Sequence, residues 1–123
     1  MGRVGMAIGV LAAGLVLVAP GPATAHVKKY NSRVTIQHPS EPNWEGDVFS
    51  GSKACVRLRG VQLWVEGPGA DDSLLGEFNA DRRGHWSYGI IGDRYYARVK
   101  REVVRSRNGH RHICKADRSA TVD

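Results

Sequence analysis

The chain has 123 residues, with 18 Lys and Arg against 12 Asp and Glu and a formal charge of +6. That length suits one domain and leaves no room for a second large one. Two cysteines exclude a framework of several disulfides and leave a single possible pairing, Cys55 with Cys114.

Residues 1–25 read as a secretory signal peptide. Met1-Gly2-Arg3 is a short positive start, residues 4–18 are an apolar and glycine run, Pro20 and Pro22 break it, and Ala23-Thr24-Ala25 is a small-residue cleavage site. The run is shorter than the ~20 residues of a membrane-spanning helix, and no Cys follows to carry a lipid. The expected product is an exported domain of residues 26–123 with no transmembrane segment. An oxidising compartment then makes Cys55–Cys114 a disulfide. Closing a loop of ~60 residues stabilises by roughly 4 kcal/mol in the chain-entropy treatment, comparable with the net stability of a small domain, ~5–15 kcal/mol.

Period-two alternation predicts a first strand over 33–37. Two prolines, Pro39 and Pro42, make 38–43 a loop. Trp44, Gly46 and Val48 share a phase in a second strand over 44–49, where Gly46 marks a bulge or close backbone approach. A turn at 51–53 and an irregular segment 55–59 lead to a third strand over 61–65. A Gly-, Pro- and Asp-rich connection, 67–73, precedes a fourth strand over 74–78.

The central stretch 79–99 is strand, turn, strand, turn, strand. Asp81 and Gly84 form a tight turn, a short strand carries Trp86, and a second turn at Gly92-Asp93 leads to Tyr95. Tyr95, Ala97 and Val99 are expected inward and Arg98 and Lys100 outward, in a strand running to about residue 105. Asn108-Gly109 is a hairpin signal, after which 110–114 pairs back and 119–122 closes the domain. No helical period lies outside the leader, and the turn spacing indicates an antiparallel β-sandwich of seven strands.

Between Arg94 and Arg118 nine basic side chains meet two acids, Glu102 and Asp117. A basic face outside the cell points to an anionic partner: wall polymer, acidic polysaccharide or phospholipid head groups. The candidate binding surface is Arg94, Arg98 and Lys100 with Trp64, which is out of phase with Val61, Leu63 and Val65. Trp44 and Trp86 fall on the inward phase. The competing reading is a solvated surface on a purely structural domain. No nucleic-acid partner is expected.

His110, His112 and Cys114 fall on one strand face and form a weak metal-ligand set, opposed by the disulfide and by Arg111 and Lys115. His26 would be the new N-terminus after cleavage, and its amine and imidazole could chelate copper. Neither is chosen as a metal site. No nucleophile elbow is present, and Glu41, Glu45 and Asp47 read as solvated acids. The chain is therefore expected to be non-enzymatic and without cofactor.

The series Trp44-x-Gly46-x-Val48, Cys55, Val61-x-Leu63, Asp81-x-x-Gly84-x-Trp86, Gly92-x-x-Tyr95-x-Ala97-x-Val99 and Cys114 resembles the transthyretin-like (prealbumin-like) sandwich of carboxypeptidase regulatory-like domains, in particular small secreted actinobacterial versions. The resemblance implies a binding, adhesion or stability module. Independently of it, Tyr95 after a Gly-containing turn resembles the tyrosine corner of sandwich folds, its hydroxyl tying the turn to the strand.

Overall fold

The computed structural model describes residues 27–105 and 109–123. The expected leader over 1–25, His26 as a candidate copper ligand and Asn108 of the hairpin signal lie outside the described residues. Among these residues eleven strands follow in order: β1 (Val27–Tyr30), β2 (Ser32–Val34), β3 (Gln37–Ser40), β4 (Asn43–Ser50), β5 (Gly60–Val65), β6 (Ser73–Asn79), β7 (His85–Gly89), β8 (Tyr95–Val99), β9 (Glu102–Arg105), β10 (Arg111–Cys114) and β11 (Asp117–Arg118), with a 3-10 turn at Lys53–Cys55 between β4 and β5.

One sheet has the order β11-β8-β5-β6. In the second, β4 carries β2 and β3 along one edge and β7 along the other. A small third sheet has the order β1-β10-β9. Pairing is antiparallel throughout these sheets except between β1 and β10, which run parallel. The fold is all-β with one disulfide, as its alternating sequence requires.

The two larger sheets close on one core. Val34, Ile36, Trp44, Val48 and Trp86 meet Val61, Leu63, Tyr95, Ala97 and Val99, with Ala80 between them. Trp44 and Trp86 are fully buried, and each indole N–H finds a carbonyl: Trp44 Nε1 donates to Ile90 O (3.2 Å) and Trp86 Nε1 to Thr35 O (3.2 Å). Gly46 makes the second bond possible, because a Cβ there would overlap both the Thr35 carbonyl and the Trp86 ring nitrogen. The close approach read from Gly46 is thus a close approach to backbone.

Tyr95, Ala97 and Val99 are buried and Arg98 and Lys100 exposed, as the alternation requires. Tyr96, on the outer face, is also covered, by Trp64 and Arg118. The Tyr95 hydroxyl donates to Ile91 O at 2.9 Å and ties down the turn before its own strand. Burial raises its pKa above the ordinary value, with smaller contributions from Glu41 and Asp93. Gly92, at φ +144°, passes beneath that phenol where a side chain would collide with it.

Among the described residues the strands number eleven rather than seven: residues 27–30, expected as a polar lead-in, form β1 by pairing with β10, and three further elements differ from the sequence reading. The first strand is divided into β2 and β3, and β3 takes in Pro39, placed in a loop above. β3 lies at a sheet edge with a register shift between Gln37 and Ser40, which accommodates the missing N–H. The long strand from Tyr95 is split into β8 and β9, in different sheets, because the Lys100 carbonyl turns away to accept from Arg59 Nη2 (2.8 Å). The closing strand is interrupted too. β11 pairs with Arg98 and Val99, then the Ser119 hydroxyl replaces a backbone acceptor for Ala97 N–H (2.8 Å), and Val122 bridges to Tyr95.

Cys55 and Cys114 are bonded, with Cα atoms 5.4 Å apart and both side chains buried. The bridge fastens the 3-10 turn to β10 and so holds the third sheet to the sandwich. Beside it lies Arg59, 1% exposed. Its Nη1 donates to Cys55 O (2.8 Å) and Ser32 Oγ (3.0 Å), and its Nη2 to Lys100 O (2.8 Å) and Lys115 O (3.0 Å). Burial pulls its pKa below the ordinary value, and Glu102, 3.5 Å from Nε, pushes it back. One guanidinium therefore joins segments from β2, the disulfide turn, the β8–β9 link and the β10–β11 link.

Candidate functional site

The third sheet turns one face toward the 3-10 turn. Side chains of paired residues share a face, so the rows Lys28–His112–Val104 and Tyr30–Cys114–Glu102 point inward. Cys114 in its disulfide and Glu102 beside Arg59 fix that orientation. Opposite them the chain runs through Ser52, the 3-10 turn and Leu58. Leu58 has φ +53°, costly for a residue with a γ-branched side chain. It is held there by its N–H to Asp81 O (3.1 Å) and by Asn79 Nδ2 donating to its carbonyl (2.9 Å). The result is a leucine 53% exposed on the rim of a groove.

The groove holds about 820 Å³ and is lined by Tyr30, Ser52, Lys53, Leu58, Val104 and His112, with Arg57 and Arg105 at its mouth. The buried Ser52 hydroxyl lies 2.7 Å from His112 Nδ1, and the Tyr30 ring tilts against the imidazole at 5.0 Å between centroids. A second hollow of about 390 Å³ continues past Lys53 and Arg57 to Val56, Arg82 and Arg83. Arg82 and Arg83 ride on the turn of Asp81, whose Oδ1 accepts the N–H groups of Arg83 (2.8 Å) and His85 (2.9 Å). Those bonds, His85 first, hold the Asp81 carboxyl below its ordinary pKa.

Five cations, Lys53, Arg57, Arg82, Arg83 and Arg105, therefore border a trough made of two adjoining hollows that share Lys53 and Arg57 as lining. Among the described residues none of them is paired with a carboxylate, whereas Glu41, Glu45, Asp47, Glu66, Asp72, Glu77 and Glu102 are engaged by His38, His85, Arg94, Arg118, Lys100 and Arg59. Unneutralised cations around a concave surface concentrate positive potential there.

The surface proposed from sequence, Arg94, Arg98, Lys100 and Trp64, is brought together on the outer face of the β11-β8-β5-β6 sheet. There each member meets a partner from its own chain. Arg94 pairs with Glu66, and Lys100 Nζ lies 3.4 Å from Glu77. Arg98 covers the Trp64 ring at 5.9 Å, and Trp64 stacks parallel to Tyr96 with centroids 6.3 Å apart. Arg118 lies 3.6 Å above Tyr96 and contacts Glu66 and Asp72. The Tyr96 hydroxyl donates to Asp72 Oδ2 at 2.7 Å, which lowers the Asp72 pKa. The Tyr96 pKa is raised, by burial first and by that bond second.

His112 faces the groove with Ser52, and Cys114 is committed to the disulfide. His110 sits before β10 at the hairpin. Among the described residues no group of three His, Cys, Asp or Glu side chains converges to hold a metal. His85 spans Glu45 (3.6 Å) and Asp47 (3.3 Å) through opposite ring nitrogens, an arrangement that buttresses β4 against β7.

Sequence reasoning missed Ser52, Lys53, Arg57, Leu58 and Arg59. Their signal was present as a break: alternation through 56–59 stops at Gly60, which marks a segment shaped by something other than a ladder. No helix among the described residues is long and apolar enough to cross a membrane. The chain matches no protein-family model, no curated protein and no solved structure.

Proposed function

We propose that this is an exported, non-enzymatic binding module that holds an anionic wall polymer or acidic polysaccharide in the trough between the third sheet and the 3-10 turn. The observation that carries the reading is the set of five unpaired cations bordering that trough, with Tyr30, Leu58 and Val104 offering apolar surface to a sugar ring or carbon backbone. Lys53 and Arg57 line both hollows, so a linear polyanion can follow the cations from Arg105 to Arg83 without leaving the surface. Export is supported by the leader pattern of residues 1–25 and by a disulfide that needs an oxidising compartment. The series of Trp, Gly, Tyr and Cys positions supports a transthyretin-like module.

On the face around Arg94, Arg98, Lys100 and Trp64, Glu66 and Glu77 already pair with Arg94 and Lys100 and Arg98 lies over the Trp64 ring, which favours a structural role for that sheet. The two surfaces are separated by a retention assay on anionic wall polymer at low and moderate salt. Lys53→Gln with Arg57→Gln should abolish salt-sensitive retention, while Arg94→Gln with Arg98→Gln and Lys100→Gln should leave most of it. Exposed charges act over a Debye length of about 8–10 Å, so parent retention should collapse as salt rises. Equal retention of parent and the Lys53/Arg57 variant would refute the trough as the site.

A further inference from the structure

The opposite face of the third sheet is a second surface. With Cys114, His112 and Glu102 pointing inward, the alternate rows Val27–Arg111–Arg105 and Lys29–Ile113–Val103 point outward. Three branched aliphatic side chains thus alternate with three cations. Val27 and Val103 are 49% and 44% exposed, and Lys29, Arg105 and Arg111 are all exposed. Neither row contains a carboxylate, and among the described residues none of the three cations is in an ion pair. Arg105, on the edge strand β9, also reaches the mouth of the groove, so Lys29 and Arg111 belong to this face alone.

We propose that this face lies on an anionic lipid surface. A partner must offer negative charge at the height of the cations and apolar matter between them. A hydrated polyanion supplies the first and leaves Val27, Val103 and Ile113 in water. A bilayer interface with anionic head groups supplies both, because long basic side chains reach head-group phosphates while short aliphatic ones enter the acyl boundary. The trough bound by Lys53 and Arg57 is on the other side of the same sheet and stays open when the outward face is covered. The domain could then hold a wall polymer close to a membrane.

All eleven strands and the disulfide lie between Val27 and Asp123, so the chain without residues 1–25 keeps every described element of the fold. That chain is sedimented with vesicles of phosphatidylglycerol and phosphatidylcholine, or of phosphatidylcholine alone. Partition to the anionic vesicles, falling with salt, is expected. Lys29→Gln with Arg111→Gln should lower the partition constant about fivefold per charge. Val27→Ser with Val103→Ser should lower it roughly tenfold, and Lys53→Gln with Arg57→Gln should leave it unchanged. Melting temperature is measured for every variant, and Lys29→Arg with Arg111→Lys, which keeps both charges, should bind as the parent does. Equal binding to neutral vesicles, no binding, or parent-level binding by the Lys29/Arg111 variant overturns the proposal. Loss on the Lys53/Arg57 substitutions overturns it in favour of the trough as the head-group site. Sensitivity of polyglutamate binding to the Lys29/Arg111 pair, without vesicle binding, overturns it in favour of an acidic protein.

Discussion

Arg59 donates from Nη1 to the carbonyl of Cys55 at 2.8 Å, so the buried cation and the disulfide restrain the same short turn. Removing the cation leaves Cys55 O, Lys100 O and Lys115 O without this donor and Glu102 without its counter-ion. Leaving buried or part-buried carbonyls without a donor costs about 1–3 kcal/mol apiece, while the loss at Glu102, over a third exposed, adds little. Arg59→Ala should therefore lower the melting temperature by more than ten degrees, at about 4–8 °C per kcal/mol for a domain of this size. Arg59→Lys should recover only part of that, since one ammonium cannot reach acceptors set around a planar fork. Thermal unfolding followed by circular dichroism reads both, and an Arg59→Ala melting temperature within a few degrees of the parent would show the network to be redundant.

The Cys55–Cys114 bridge spans 59 positions and holds the third sheet to the sandwich. Cys55→Ala with Cys114→Ala should cost roughly 4 kcal/mol by loop entropy alone. Hydrogen exchange should show β1, β9 and β10 losing protection before β5 and β8, because the latter pack in the core and the former do not. Uniform loss across all strands would mean that the third sheet unfolds only with the whole.

At the turn before β8, the Tyr95 hydroxyl bonds Ile91 O and sits over Gly92. Tyr95→Phe keeps the ring in the core and removes one part-buried hydrogen bond, a loss of about 1 kcal/mol. Gly92→Ala adds a methyl where the phenol lies and forces a positive φ on a residue with a Cβ, so it should destabilise by more than Tyr95→Phe. The two melting curves compared side by side decide the order. An alanine as stable as the phenylalanine variant would mean that the turn relaxes freely.

Acid should loosen the fold through Asp81, Asp72 and Glu77. Backbone N–H groups of His85 and Arg83 hold Asp81 below its ordinary pKa, the Tyr96 hydroxyl and Gly67 N–H do the same for Asp72, and Gln62 followed by Lys100 for Glu77. A carboxyl with a depressed folded-state pKa contributes stability above its unfolded value, about 4, and that contribution is lost as pH falls through the folded value. Stability should thus be flat near neutral pH and decline below about pH 4. Asp81→Asn should be less stable than the parent at pH 7 and show a shallower acid decline. A variant with the parent's pH profile would place the acid sensitivity elsewhere.

Local pattern determined much of this protein. Alternation in 44–49, 61–65 and 95–99 assigned the inward faces correctly because a strand's side chains must take opposite sides of a pleat, and one face of each sheet had to be covered. Gly92 before Tyr95 and Asp81 before Gly84 announced their turns through backbone chemistry that needs no distant partner. Two cysteines left one pairing. What only the tertiary structure decided depended on groups far apart in the chain. Arg59 reads as one more surface base until Ser32, Lys100 and Lys115 converge on it. Ser52 and His112, sixty positions apart, meet only when the disulfide brings β10 to the 3-10 turn. Whether a base is neutralised is likewise a matter of neighbours. Arg94 and Lys100 find Glu66 and Glu77 across the sheet, while Lys53 and Arg57 find no carboxylate among the described residues. Charge in a sequence is a count, and the fold converts it into a surface by choosing which charges meet.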